Sequence, residues 1–171
     1  ALLPALTKVK PTVMLAVPLI IEKIFRNKIL PEFHRRAIVR GLYKISAVRK
    51  RLHKIAGKKL MQTFGGELKM FCIGGAALAA DVERFLNEAE FPYAIGYGLT
   101  ETSPLVTGTG PEGVRLRSAG KVMQWMEVKI DNPDPKNGEG EVLIKGPNVM
   151  KGYYRDPEKT KEVFTEDGWF K

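Results

Sequence analysis

The chain has 171 residues, 44% of them apolar, and a formal net charge of +9 from 28 basic and 19 acidic side chains. That content supports one domain, or one domain and a small satellite, around a real core, and it excludes a disordered or fibrous chain. The single cysteine, Cys72, excludes an internal disulfide framework and fits a reducing compartment, and no apolar run approaches the ~20 residues that span a bilayer.

The start, ALLPALTKVKPT, lacks an initiator Met and does not have the layout of a signal peptide. It suggests a piece excised from a longer chain, although Met is also removed after synthesis. TVMLAV (Thr12–Val17) is a short β-type run, and Pro18 suits the first turn of a helix over PLIIEKIFRNKI. Pro31 interrupts that helix. A long helical pattern follows, with Ile38, Leu42, Ile45, Val48, Leu52 and Ile55 on one stripe. Gly41 weakens it by roughly 1 kcal/mol relative to Ala. No acidic residue occurs between Glu32 and Glu67, whereas Arg35, Arg36, Arg40, Lys44, Arg49, Lys50, Arg51, Lys54, Lys58 and Lys59 do. The rest of the chain is close to neutral, so the basic character is local.

Phe64-Gly65-Gly66 closes the helical region, and LKMFCI (Leu68–Ile73) reads as a buried strand. Gly74-Gly75-Ala76-Ala77 is a turn almost without side chains. Asp81 to Ala89 is helical, and Tyr93–Ile95 is a further strand. Strand, glycine turn, helix and strand make a βαβ unit with a parallel sheet, in which ligands sit beyond the carboxyl ends of the strands. GGAA and GYG both fall at such ends. After Gly108-Thr109-Gly110-Pro111 the texture changes. Met126–Ile130 and Glu141–Gly146 flank a turn-rich NPDPKNGEG, which predicts a hairpin in an antiparallel β subdomain. Asp156-Pro157-Glu158 starts a helix, with Asp as N-cap, and Thr165–Gly168 is a turn. The expected fold is therefore α/β: a parallel βαβ portion over residues 1–107, with a basic helical insert over 32–62, followed by an antiparallel β subdomain over 108–171.

The segment YAIGYGLTETSP carries the chemistry. Glycines let a backbone approach a ligand, and the tyrosine between them offers a ring to a flat heterocycle. Thr100 offers a hydroxyl to a phosphate, and Glu101 a hard oxygen to Mg²⁺. That set suits a nucleotide. The alternative is a plain loop in which Tyr97 is core and Glu101 caps the next segment; these residues alone leave both readings open.

Three segments together resemble the AMP-forming acyl-CoA synthetases of the adenylate-forming superfamily. GGAALAADVERFL (Gly74–Leu86) resembles that family's Gly-Gly-Ala-Pro-Leu turn and helix, with Ala77 in place of the usual Pro. GYGLTETSP (Gly96–Pro104) is similar to its Gly-Tyr-Gly-x-Thr-Glu segment, and GEGEVLIKGPNVMKGYYRDPEKT (Gly138–Thr160) to its Gly-Glu…Gly-Tyr…Pro…Thr segment. VMLAVPLIIEKI also looks like the stretch before the family's variable helical insert.

The resemblance implies ATP, Mg²⁺ and CoA as cofactor and substrates, and a fatty acid as the acid activated. Tyr97 would stack on adenine, with Gly96 beside its amino edge and Gly98 in the same nucleotide-binding segment. Thr100 would bond the α-phosphate and Glu101 would bind Mg²⁺, making Thr100 and Glu101 the catalytic pair. Gly74, Gly75 and Ala76 would form a thin wall between adenine and acyl chain. The region around Gly146 and Gly152 would be structural packing. The family's phosphate loop, its ribose-binding Asp and its C-terminal lid with a catalytic Lys lie outside this sequence, so the resemblance implies that the isolated chain is inactive.

The remaining candidates are bland. Cys72 reads as inert core packing, and Trp125 and Trp169 as core. His34 and His53 have no acidic residue or Cys nearby in sequence, which argues against metal or triad roles. Glu139 and Glu141 read as hairpin surface. The basic helix is a solvated face, a contact for anionic lipid or a steering patch for phosphates. No aromatic interleaving supports nucleic acid. The reading is a long-chain-type fatty acid–CoA ligase, cytoplasmic, with peripheral membrane contact through the basic helix as one option. Its alternatives are a ligase for another carboxylic acid, or a non-catalytic basic module binding membrane or nucleic acid through residues 33–61.

Overall fold

A computed structural model describes residues 2–35 and 37–171, apart from the side chains of Leu2, Leu3, His34, Ala37 and Ile38. The chain forms two compact units, residues 1–95 with 109–119, and residues 96–108 with 120–171. The sequence readings of His34, Arg36 and the Ile38 side chain lie outside the described residues.

The first unit contains α1 (Leu2–Val9), β1 (Val13–Ala16), α2 (Pro18–Ile24), α3 (Leu30–His34), α4 (Ala37–Leu42), α5 (Ser46–Thr63), β2 (Met70–Ile73), α6 (Ala80–Glu88) and the start of β3 (Tyr93–Gly98). β1 runs parallel to β2, with Val13 opposite Met70 and Ala16 opposite Ile73, and β2 runs parallel to β3, with Phe71 opposite Tyr93 and Ile73 opposite Ile95. β2, the glycine turn, α6 and β3 are the βαβ unit that the glycine punctuation and strand spacing imply. Pro18 opens α2 at its first position, where the missing N–H costs nothing. Pro31 does not interrupt the helix as expected. A π-helical stretch, Phe25–Ile29, leads directly into α3, whose first turn holds Pro31, and the Leu30 N–H reaches back to the Phe25 carbonyl. The widened turn gives the proline ring the room a regular α turn denies it.

Phe25, Phe64, Phe71 and Phe85 are at most 2% exposed and anchor the core with Ile21, Ile73, Val82 and Leu86. Phe25 and Phe85 pack at 5.0 Å between ring centroids, and Phe64 and Phe71 at 5.3 Å. Phe71 and Ile73 on β2 point inward, while Cys72 alternates away and is half-buried rather than core.

The single long helix is corrected. It breaks at Tyr43–Ile45, just after Gly41, into α4 and α5. The expected stripe meets the core only in part: Leu52 packs half-buried against it, Leu42, Ile45 and Ile55 are exposed, and Leu52 and Ile55 line an open groove with Ile24 and Phe33. His53, Gly57 and Leu60 are the buried residues of α5. Gly57 explains the choice of face, because a Cβ there would stand 2.8 Å from the Cβ of Ala89 at the end of α6. Helix α5 thus lies on α6 through its smallest residue.

The acidic partner that His53 lacks in sequence arrives from α6. His53 is 1% exposed. Its Nδ1 lies 2.8 Å from Glu88 Oε2, outside ideal hydrogen-bond alignment, and its Nε2 lies 2.7 Å from the Tyr43 hydroxyl. A carboxylate on the Nδ1 side favours the tautomer with its proton there, so that Nε2 accepts from Tyr43. Arg49 closes the group, donating to both Glu88 oxygens at 2.8 and 3.0 Å. Burial holds the His53 pKa below its ordinary value even though Glu88 pulls the other way. Burial would raise Glu88, but the Arg49 hydrogen bond and the surrounding positive charge outweigh it and hold Glu88 below the usual carboxylate range. A second buried carboxylate, Glu83, accepts the Arg117 backbone N–H at 3.0 Å, while the Arg117 guanidinium donates to the Leu78 carbonyl at 2.9 Å.

The second unit holds the end of β3, β4 (Leu105–Thr109), β5 (Lys121–Val122), β6 (Glu127–Asp131), β7 (Glu141–Lys145) and α7 (Pro157–Glu162). β6 and β7 form the expected antiparallel hairpin, Glu127 opposite Lys145 and Asp131 opposite Glu141, with Glu139 and Glu141 exposed. Val106, Met126, Ile144 and Phe170 make its core. Phe170 exchanges two backbone hydrogen bonds of 2.9 Å with Ile144. Trp125 is not core: it stands 76% exposed on a left-handed backbone, φ +63°. Trp169 is half-buried under the Lys129 ammonium, 4.4 Å from its ring centroid. Asp156 caps α7 as expected, accepting the Lys159 N–H at 3.0 Å, and Gly168 closes the 165–168 turn onto Thr165.

Candidate functional site

Ile73 pairs with Ile95, and each glycine segment begins at the residue after that pair. In the first unit, Gly74 donates to the Ala16 carbonyl at 3.3 Å, and Gly75 turns the chain with φ +84°. A side chain would find space at Gly75, since the Val17 Cγ1 is 3.8 Å from where its Cβ would be. Glycine is needed there for the backbone angle. Ala76 and Ala77 are exposed, Leu78 is buried, and the Ala79 N–H is held by Glu22 Oε1 at 2.9 Å. The turn is a short strip of nearly bare backbone pinned at both ends.

GYG is extended, because β3 runs on through Gly98. The two glycines have a cause within the unit. A Cβ on Gly98 would coincide with the Pro104 carbonyl, and one on Gly96 would stand 2.6 Å from the Leu105 Cδ1. The chain returns over its own strand, and only glycine leaves room. Tyr97 between them is half-buried and packs on the core of Val106, Met126, Ile144 and Phe170, with part of its surface open. The return is built by Thr102, fully buried, whose hydroxyl accepts the Leu99 N–H at 2.9 Å and reaches the Pro104 carbonyl at 2.8 Å. Ser103 completes the bend at φ +52°.

That bend presents Thr100 to solvent and leaves Glu101 half-exposed. Glu101 is tied at two points by the segment 150–153: its carbonyl accepts the Met150 N–H at 2.7 Å, and its Oε1 accepts the Tyr153 hydroxyl at 2.9 Å. Its own backbone N–H, and then the Tyr153 hydroxyl, hold the carboxyl below the usual range. The same bond raises Tyr153. Glu101 is therefore an ionised, accessible carboxylate at neutral pH. Among the described residues no group of three or more His, Cys, Asp and Glu gathers as a metal cage. A single carboxylate beside a hydroxyl suits Mg²⁺, which keeps waters and takes its other ligands from substrate phosphates.

The second unit thus brings Gly96, Tyr97, Gly98, Thr100 and Glu101 onto one strand and bend. Gly74, Gly75 and Ala76 belong to the first unit. Sequence reasoning missed Tyr153, because the GYY stretch reads as packing. What sets it appears only in the fold: a Cβ on Gly152 would stand 2.7 Å from the Thr160 Cγ2, and Thr160 Oγ1 accepts the Tyr153 N–H at 2.9 Å.

Comparison with known proteins identifies the family. The profile of the family described as "AMP-binding enzyme" matches residues 1–154. Long-chain-fatty-acid–CoA ligase 1 of Saccharomyces cerevisiae is 33% identical, covering 97% of this chain and 26% of its own. Long-chain-fatty-acid–CoA ligase 2 of Schizosaccharomyces pombe is 35% identical, covering 97% and 27%. The chain spans about a quarter of the length of these relatives. Among solved structures, o-succinylbenzoate CoA synthetase of Bacillus subtilis, in complex with its acyl-adenylate intermediate, shares the fold at a TM-score of 0.64 and 24% identity, over 99% of this chain and 29% of that one. ATP-bound MatB of Rhodopseudomonas palustris is similar at a TM-score of 0.64 and 27% identity, over 97% and 28%. The chain belongs to the AMP-binding enzyme family.

Proposed function

We propose that the protein is part of an ATP-dependent ligase that activates a long-chain fatty acid as its acyl-adenylate and passes the acyl group to CoA. The observation that carries this reading is the likeness to two long-chain-fatty-acid–CoA ligases across 97% of the chain. Within the site, the ionised Glu101 supports it.

The reaction has two displacements. A fatty carboxylate oxygen attacks the α-phosphorus of ATP, and the bond to pyrophosphate breaks. The CoA thiol, losing its proton, then attacks the acyl carbon and AMP leaves. Bound Mg²⁺ supplies charge neutralisation on the phosphates. The chain's own part is positioning. Glu101 would hold the cation, Thr100 would donate its hydroxyl to an α-phosphate oxygen, and Tyr97 would offer its open surface to adenine beside the Gly96 and Gly98 backbone. Gly74, Gly75 and Ala76 would let the acyl carboxylate approach without a side chain in the way. No general base is required at the first step, since the attacking carboxylate is already ionised.

Pyrophosphate exchange by the native full-length protein across a panel of carboxylic acids tests the reading. Exchange should be strongest with long-chain fatty acids; exchange confined to aryl or short acids would replace the substrate, and none with any acid would end the proposal.

One observation favours a further contact. Arg51, Lys58 and Lys59 on α5 are exposed and, at helical spacing, share a face with Ile55, which is 51% exposed. Such a face suits peripheral binding to anionic lipid. Among the described residues no helix is long and apolar enough to cross a membrane. Sedimentation with anionic vesicles in low salt should carry the protein down, and its absence from the pellet would remove this contact.

A further inference from the structure

The half-exposed glutamate of the bend is gripped by a part of the chain that its own sequence neighbourhood does not contain. The Tyr153 hydroxyl donates to Glu101 Oε1 at 2.9 Å across 52 residues, and Tyr153 is the only side-chain partner of Glu101 among the described residues. The grip is built in layers. Asp156 caps α7 through the Lys159 N–H, and its carbonyl accepts the Thr160 hydroxyl at 2.8 Å. Thr160 Oγ1 in turn accepts the Tyr153 N–H at 2.9 Å. Gly152, at φ +149°, lies against Thr160 where a side chain could not fit. The Met150 N–H fixes the Glu101 carbonyl at 2.7 Å from the same segment. A capped helix, a threonine and a glycine thus set one phenol, and that phenol sets one carboxylate.

An exposed glutamate otherwise samples several rotamers, and ordering it when a ligand arrives costs conformational entropy. Outer partners that orient a metal-binding carboxylate remove that cost beforehand. A phenol fits this role because it donates one hydrogen bond, is neutral, and leaves the negative charge of the carboxylate available to a cation. Lysine or arginine in its place would compete with the cation for that charge. We infer that Tyr153 is a positioning residue that holds the Glu101 carboxylate in one orientation for a divalent cation carried with the nucleotide. The inference rests on the metal-holding role proposed above for Glu101.

The test uses the native full-length protein and three variants, Tyr153→Phe, Glu101→Gln and the pair combined. Mn²⁺ affinity in the presence of ATP is read by electron paramagnetic resonance, beside the Mg²⁺ dependence of pyrophosphate exchange. Tyr153→Phe keeps the ring and its packing, so a melting curve like the parent's is expected. It should weaken Mn²⁺ binding about tenfold and raise the Mg²⁺ needed for half-maximal exchange in step. On the Glu101→Gln background it should add nothing, because the orientation it supplies has lost its object. Unchanged Mn²⁺ affinity in Tyr153→Phe overturns the inference, and so does a full additional loss in the double variant, which marks a role through folding alone. If Glu101→Gln itself leaves Mn²⁺ affinity and exchange intact, the metal-holding role of Glu101 fails and the inference fails with it. An impaired Glu101→Gln beside an unaffected Tyr153→Phe sinks the inference alone.

Discussion

Two glutamates, one in each unit, show how differently the same side chain can be held. Glu88 is 9% exposed, and its oxygens are spent on Arg49 and His53. Glu101 is half-exposed and holds one neutral side-chain donor. Both carboxyls titrate below the ordinary range, so acidity alone does not separate them. What separates them is remaining capacity. A carboxylate saturated by the protein is structural, because a ligand would have to displace an arginine from it. A carboxylate with one neutral partner keeps lone pairs free, as the cation-holding role proposed for Glu101 requires.

The largest expected effect lies at Glu101. Replacing it with alanine in the native protein should lower adenylate formation by about 10²- to 10³-fold, read as pyrophosphate exchange, while the melting temperature stays near the parent's. A large loss of stability instead would place Glu101 in the class of Glu88.

Glu88→Ala is the converse. It leaves Arg49 and His53 without their partner in a largely buried setting, which should cost about 3 kcal/mol of unfolding free energy. Chemical denaturation measures it. Exchange per folded molecule should hold, and a selective loss of exchange would give the α5–α6 junction a part in catalysis.

Acid should titrate the buried group around Glu88 in two steps. The folded pKa of His53 lies below its ordinary 6.5, so the unfolded chain takes up that proton first. Stability contributed by neutral His53 is complete above that value and is lost as pH falls from there through the folded pKa. Glu88 adds a second loss only below its ordinary 4.5, as pH falls through its own depressed value. Unfolding free energy should therefore begin to fall near mildly acidic pH, and His53→Gln should flatten that first decline. A decline unchanged in His53→Gln would assign it elsewhere.

The smallest effect belongs to Asp156→Ala, which removes the α7 cap at a cost of about 1 kcal/mol. The loss is read as faster amide exchange at Lys159 and Thr160, with a modest rise in the Mg²⁺ requirement through Tyr153. Protection unchanged at both amides would show that α7 holds its first turn without the cap.

Much of the fold was legible in the residues. The parallel βαβ portion, the 126–146 hairpin and the Asp156 cap rest on features within a few residues of one another: alternation, glycine punctuation and a proline at a helix start. The glycines of GYG were legible as places of close approach, but what approaches is the chain's own Pro104–Leu105 return. The long basic helix was misread because an apolar stripe says that a face can be buried, not that a partner is there. Gly57 against Ala89 chose the other face. Trp125 was misread for the same reason: a large ring favours burial, and a left-handed turn at that position carries it outward.

Local pattern by itself determined the element types, the glycine bends and the candidate nucleotide segment, since each depends on backbone sterics over a few bonds. Only the tertiary structure decided which carboxylate is saturated and which keeps an open side. Arg49 meets Glu88 across 39 residues and Tyr153 meets Glu101 across 52, and no short-range rule connects positions so far apart. Those pairings exist because whole helices and strands, once packed, bring their side chains together.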